Sequence, residues 1–185
     1  YHLTYVIERN MDWALQLYVD ADHNGDFTTS KSTTGFVLFV RSKDGIGDTR
    51  AAISWGSKRQ GATAWSSGEA EMVAMGEATK PALKVQLLCR GIQYGSQERM
   101  VHLDIQCDAE ACIKAIIKGY SSMEYMEKTQ RIRIGGLHEI CCEADDVTLN
   151  KEPTETNTAD MFTKPLDREL FSKHRSGIGV QPSAA

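Results

Sequence analysis

Four carboxylates, Asp20, Glu71, Asp108 and Asp160, stand where an alternating fold could gather them into one site. Two of them close apolar strands. Leu15, Leu17 and Val19 alternate with Gln16, Tyr18 and Asp20, while Val101, Leu103, Ile105 and Cys107 alternate with His102, Asp104, Gln106 and Asp108. That period of two marks a half-buried strand. If the two strands lie side by side and parallel, Asp20 and Asp108 meet at their carboxyl ends, where open α/β sheets place their sites. Carboxylates gathered this way repel one another unless cations lie between them, and hard oxygen ligands with room for water suit Mg2+ or Mn2+. Two such ions about 4 Å apart serve in-line phosphodiester hydrolysis. Each acid also has an ordinary use: Asp20 in an Asx turn, Glu71 on a helix surface, Asp108 as an N-cap, Asp160 against a helix dipole.

The elements that must position these acids follow from the pattern around them. Residues 1–14 have apolar content but no clear period and read as a lead-in from a preceding domain; residues 15–176 form the domain itself. Asn24-Gly25 signals a turn after the first strand, and residues 34–41 then read as a buried strand returning antiparallel to it. Asp44-Gly45 and Gly47-Asp48 precede a third short strand at 51–55, which completes a meander. Ser66-Ser67-Gly68-Glu69 fits a capping box, in which hydroxyl and acid satisfy each other's backbone amides. The helix that follows carries Ala70, Val73, Ala74, Ala78, Ala82, Val85 and Leu88 as its apolar stripe, with a kink expected at Pro81. Glu69 thereby has a structural task, whereas Glu71 lies beside the stripe with no local partner. Asp108 is placed to cap a second helix through Ala109, Cys112, Ile113, Ile116 and Ile117, ending at Gly119. Residues 120–128 read as a loop, 129–143 as a helix despite Gly135-Gly136, 147–150 as a short strand, and 158–165 as a short helix with Asp160 in its first turn. The tail, 177–185, is expected to be flexible.

Composition bounds the rest. With 185 residues, 41% hydrophobic and 25% charged, the chain is long and apolar enough for one domain with a real core. No run approaches the roughly 20 apolar residues of a membrane span, so no membrane partner is expected, and the N-terminus has no secretory pattern. Five cysteines form an odd number without framework spacing, which points to a reducing, intracellular setting. His138, Cys141 and Cys142 are too few, with two adjacent, to make a convincing zinc site. A net charge of -4 argues against binding nucleic acid by charge alone, yet clustered acids neutralised by metal ions are compatible with a nuclease.

Six blocks, in order, carry a family resemblance. They are Asp20-Ala21-Asp22 with Gly25-Asp26; Lys31-Ser32-Thr33-Thr34-Gly35; residues 53–60, from Ile-Ser-Trp to Lys58-Arg59-Gln60; Ser66-Ser67-Gly68-Glu69-Ala70-Glu71; Cys107-Asp108; and residues 159–166, Ala-Asp-Met-Phe-Thr-Lys-Pro-Leu. Over residues 15–175 the chain resembles the ribonuclease H domain of copia-type retrotransposon Pol polyproteins. The resemblance implies an α/β fold, with a central five-stranded mixed sheet flanked by helices. It also implies an acid quartet, Asp20, Glu71, Asp108 and Asp160, holding two Mg2+ (or Mn2+) ions.

The implied reaction is endonucleolytic cleavage of the RNA strand of an RNA–DNA hybrid, with selectivity from groove shape and 2′-hydroxyl contacts. The partners implied are that hybrid and the reverse transcriptase domain of the same polyprotein, in cytoplasm, nucleus or retrotransposon particles. Lys31, Ser32, Thr33, Thr34, Lys58 and Arg59 are candidate substrate contacts, and Trp55 is divided between that role and the core. The alternative is a silent module that binds hybrid or packs on a reverse transcriptase without cutting. Departures from the family pattern are His23 in place of Trp, Gln130-Arg131 in place of Lys-His, and the helix-weakening pair Gly135-Gly136, each glycine costing about 1 kcal/mol relative to Ala. Residues 143–159 contain no histidine ahead of the last acid.

Overall fold

Alternation along the first long strand divides the molecule. Leu15, Leu17 and Val19 are fully buried on one side of the sheet, and Tyr18 is buried on the other. In the computed structural model, which describes residues 1–5, 11–26, 28–44, 50–95, 97, 99–119 and 125–182, this strand is the centre of a five-stranded sheet. A short β1 (His2–Leu3) precedes it. The sheet comprises β2 (Trp13–Asp26), β3 (Lys31–Ser42), β4 (Arg50–Arg59), β5 (His102–Cys107) and β6 (Val147–Lys151), in spatial order β4-β3-β2-β5-β6. The β2–β3 and β3–β4 pairs are antiparallel, while β2–β5 and β5–β6 are parallel. The expected mixed five-stranded α/β architecture is therefore present.

One face is covered by α1 (Ser67–Tyr94), with α2 (Glu110–Lys118), α3 (Tyr125–Gln130) and α4 (Ile134–His138) beside it. Met72, Ala74, Met75, Ala78 and Ala82 of α1 pack with Leu15, Leu17, Leu103 and Ile105 into the main core, where burying each large side chain stabilises by about 1.5–3 kcal/mol. Pro81 sits inside α1 without ending it. The opposite face has a smaller cluster, Tyr18, Val37, Phe39, Ala52 and Ala159, beneath a 3-10 helix (Thr158–Phe162). Farther on lie α5 (Arg168–Gly177) and β7 (Val180–Gln181), which pairs antiparallel with β1.

Several boundaries differ from the sequence reading. Asn24-Gly25 does not turn the chain: β2 continues to Asp26 through a register irregularity between Asp22 and Asp26, with Asn24 at φ 57°. The reversal falls at 28–30, where Asp26 accepts hydrogen bonds from the Thr28 and Thr29 amides. Residues 129–143 are not one helix. Arg131 adopts φ 58° and breaks it, α4 is short, and a π-turn (Glu139–Glu143) follows. Leu88, expected in the core stripe, is 61% exposed. His2–Leu3 and Val180–Gln181, read as lead-in and tail, form a two-stranded pair. The Gly45 and Gly47-Asp48 signals and residues 120–124 of the expected loop lie outside the described residues, as do 183–185.

Candidate active site

The parallel register of β2 and β5 sets the site. Val19 pairs with Cys107 in the parallel ladder, so the next residues, Asp20 and Asp108, emerge side by side at the carboxyl ends of the two strands. Asp20 is only 2% exposed, and it pairs across the antiparallel ladder with Gly35. At Gly35 a Cβ would lie 2.5 Å from Thr163 Cγ2 and 2.9 Å from the Ala159 carbonyl oxygen. The bare backbone there lets the 3-10 helix lie directly on the sheet, which delivers Asp160 against Asp20.

Asn157 joins the three segments. Fully buried, it donates through Nδ2 to the Val19 carbonyl at 3.0 Å and to Asp108 Oδ1 at 3.4 Å, while its Oδ1 accepts from the Ala159 amide at 3.2 Å. Asp108 does not cap α2, whose N-cap is Ala109. Its Oδ2 instead accepts from the Thr154 hydroxyl at 2.9 Å. The change of role has a simple cause: the carboxylate is drawn across to the segment carrying Asp160.

From the other face comes Glu71. The Ser66 hydroxyl accepts from the Glu69 amide at 3.2 Å, as a capping serine should. The reciprocal half of the box is absent, because Glu69 reaches the Trp65 amide at 2.9 Å and receives the Tyr125 hydroxyl at 2.6 Å. Glu71, two residues along and so on the other side of the helix, points toward Asp20 and Asp108.

Potential ligand atoms of Asp20, Asp108 and Asp160 all lie within 4.8 Å of one another, and so do those of Glu71, Cys107 and Asp108. Asp108 belongs to both groups. Burial first, then the electrostatic influence of neighbouring Asp20, Cys107 and Asp108, pushes the Glu71 carboxyl up to about 10. Burial, then the charge of Asp20, raises Asp160 to about 6 against the opposing pull of Lys164. Asp20 is raised as well by burial, opposed by the Thr163 hydroxyl and Lys164. These shifts mark acids crowded without enough positive charge.

The donor set fits divalent cations. Asp160 Oδ1 and Glu71 Oε2 are buried and find no hydrogen-bond partner among the described residues, which is costly unless another group takes the lone pairs. One group is all oxygen, suited to Mg2+ or Mn2+; the other carries the Cys107 thiol at one corner.

Of the candidate substrate contacts, Ser32 and Thr34 are buried. The Ser32 hydroxyl accepts from the Asn24 amide, and that of Thr34 accepts from Gln60 Nε2. Thr33 is half-buried. Lys31 donates to the Gly61 carbonyl, Arg59 pairs with Asp26 at 2.8 Å, and Lys58, 74% exposed, lies 3.6 Å from Glu77. Trp55 is exposed rather than core. Sequence reasoning missed Asn157, Thr163 and Lys164 as parts of the site. An Asn directly ahead of a helical turn, and a Lys four residues after an acid, were the available signals.

A five-stranded mixed sheet with helices on both faces and acids at the β2 and β5 ends defines the ribonuclease H fold. Solved structures with this fold include RNase H1 from the halophilic archaeon Halobacterium salinarum NRC-1, with a TM-score of 0.53 and 18% identity, covering 81% of this chain and 94% of that one. LC11-RNase H1 in complex with an RNA/DNA hybrid matches with a TM-score of 0.51 and 18% identity, over 86% and 97% of the two chains. The particular relatives are retrovirus-related Pol polyproteins, which bears out the resemblance drawn from the six sequence blocks. That of transposon TNT 1-94 from Nicotiana tabacum is 33% identical over 171 residues, 91% of this chain and 12% of its own length. That of transposon RE2 from Arabidopsis thaliana is 25% identical over 90% of this chain. The chain thus spans about a tenth of the length of these relatives, 12% and 10%. No protein-family model matches it.

Proposed function

We propose that the chain hydrolyses the RNA strand of RNA–DNA hybrids, as the ribonuclease H unit of a retrotransposon Pol polyprotein. The observation that carries this reading is the pair of acid groups sharing Asp108 at the carboxyl ends of β2 and β5. Asp20, Asp108 and Asp160 would hold one divalent ion, and Glu71 with Asp108 a second, Mg2+ being the expected ion and Mn2+ a substitute. When bound, such a pair supplies a nucleophilic water and neutralises the leaving oxygen of an in-line displacement.

The remaining work belongs to the chain. Asn157 and Thr154 hold the Asp108 carboxylate in place, and the Thr163 hydroxyl orients Asp20. Burial and the neighbouring acids favour the neutral form of the Glu71 carboxyl, and positive charge held at the site would favour its ionised, ligating form. Lys31, Thr33, Lys58 and Arg59, exposed or half-exposed on β3 and β4, would meet the hybrid's backbone. A reverse transcriptase domain of the same polyprotein would supply further grip on the substrate. Among the described residues no helix is long and apolar enough to cross a membrane.

The test is cleavage of end-labelled RNA–DNA hybrid beside duplex DNA and duplex RNA, with Mg2+ or Mn2+ and with EDTA. Metal-dependent cutting confined to the RNA of the hybrid is expected. A folded protein that binds hybrid and never cuts it would leave a binding module in place of a nuclease.

A further inference from the structure

The acid cluster already contains a cation. Lys164 Nζ lies 2.9 Å from Asp160 Oδ2 and 3.7 Å from Asp20 Oδ2, between two of the carboxylates that would hold the first divalent ion. Its backbone is fixed, since the Lys164 amide donates to the Asp160 carbonyl at 3.2 Å and Pro165 follows. The side chain itself is 35% exposed. Four methylenes on a fixed backbone, with an open route to solvent, let the ammonium move without disturbing the helix that carries Asp160. It uses only one oxygen of Asp160, leaving Oδ1 without a partner.

We propose that Lys164 is a resident counter-ion of this cluster, whose ammonium leaves Asp20 and Asp160 when a divalent ion is taken up. The inference rests on the metal-dependent reading above. Two consequences follow from charge. Without metal, three carboxylates face one ammonium, and Lys164 limits their repulsion. On loading, a divalent ion and the ammonium compete for the same two carboxylates, and at such short range each repels the other. Loading is then an exchange, and Lys164 sets the metal concentration at which it occurs. Thr163 stays on Asp20 throughout, being neutral, and keeps that carboxylate in place.

The experiment is lysine labelling with an amine-reactive ester, read by mass spectrometry on the whole chain at pH 8, in EDTA and in saturating Mn2+, with Mn2+ binding followed in parallel by EPR. Lys164 labelling is expected to rise several-fold with Mn2+, while exposed Lys58 stays constant. Lys164→Met should bind Mn2+ about tenfold or more tightly, and Lys164→Arg, which keeps the charge, should bind as wild type does. Lys164 labelling that is unchanged or falls on Mn2+ saturation would overturn the exchange. So would a Lys164→Met variant that binds no more tightly than wild type, or a Lys164→Arg variant that tightens as Met does. Wild-type protein that binds no Mn2+ at all would instead remove the metal-dependent reading itself.

Discussion

The two faces of the sheet are built differently, and the site depends on the less robust one. Under α1 the side chains are apolar, large and fully buried, and the helix that delivers Glu71 is 28 residues long. On the other face the buried cluster among the described residues is small, Tyr18, Val37, Phe39, Ala52 and Ala159, and Asp160 arrives on a five-residue 3-10 helix. A helix that short holds no position by itself. Its place is set by the bare backbone at Gly35, the hydrogen bonds of Asn157 and the Thr163 hydroxyl on Asp20. Stability resides on one face, and placement of the last acid of the cluster on the other.

That contrast can be broken from either side. The largest effect on activity is expected at Asp20: Asp20→Asn should cut hybrid cleavage by more than the roughly 10–100-fold that loss of an outer-shell partner costs. Its Tm in EDTA should stay level or rise, because a source of repulsion is gone. A variant that cuts normally would remove Asp20 from the site. Leu17→Ala should cost about 2–5 kcal/mol in denaturant unfolding, with cutting per folded molecule unchanged. Gly35→Ala should cost less, about 1–3 kcal/mol, yet reduce cutting far more than Leu17→Ala does; equal activity losses would erase the distinction between the faces.

The pH dependence sharpens the same point. Asp160, at about 6, and Glu71, at about 10, both sit above their unfolded values in the metal-free protein. The folded state therefore binds more protons than the unfolded state over those intervals, and stability falls as pH rises. By calorimetry in EDTA, Tm should drop from pH 4 to 6 and continue downward toward pH 10, and Mn2+ should flatten the slope. A Tm that climbs with pH over this range would contradict the crowding of the acids. The smallest effect is expected on the exposed end of α1, where Leu88→Lys should change stability by no more than about 0.5 kcal/mol.

Much of the robust face was legible beforehand. Alternation at Leu15-Leu17-Val19 and Leu103-Ile105-Cys107 encodes burial directly, and it placed Asp20 and Asp108 beside each other once the strands were taken as parallel. Local grammar was less informative where a tertiary partner competes. Asn24-Gly25 became an irregularity inside β2 because β3 pairs with it past that point. Asp108 has a helix to cap but is held by Thr154 and Asn157 instead. Glu69 bypassed its own cap for the Trp65 amide and the Tyr125 hydroxyl. Asn157 and Lys164 act through contacts with strands far away in sequence, which no local period encodes.

The most direct test of a single centre joined at Asp108 is Mn2+ binding to Asp108→Asn in the presence of a chemically uncleavable hybrid, measured by EPR beside wild type. Wild type should hold two ions per chain. The variant should lose both together with cutting, because Asp108 belongs to both acid groups. A variant that still binds two ions with wild-type affinity would contradict the shared centre and leave the acids as neighbours without a common task.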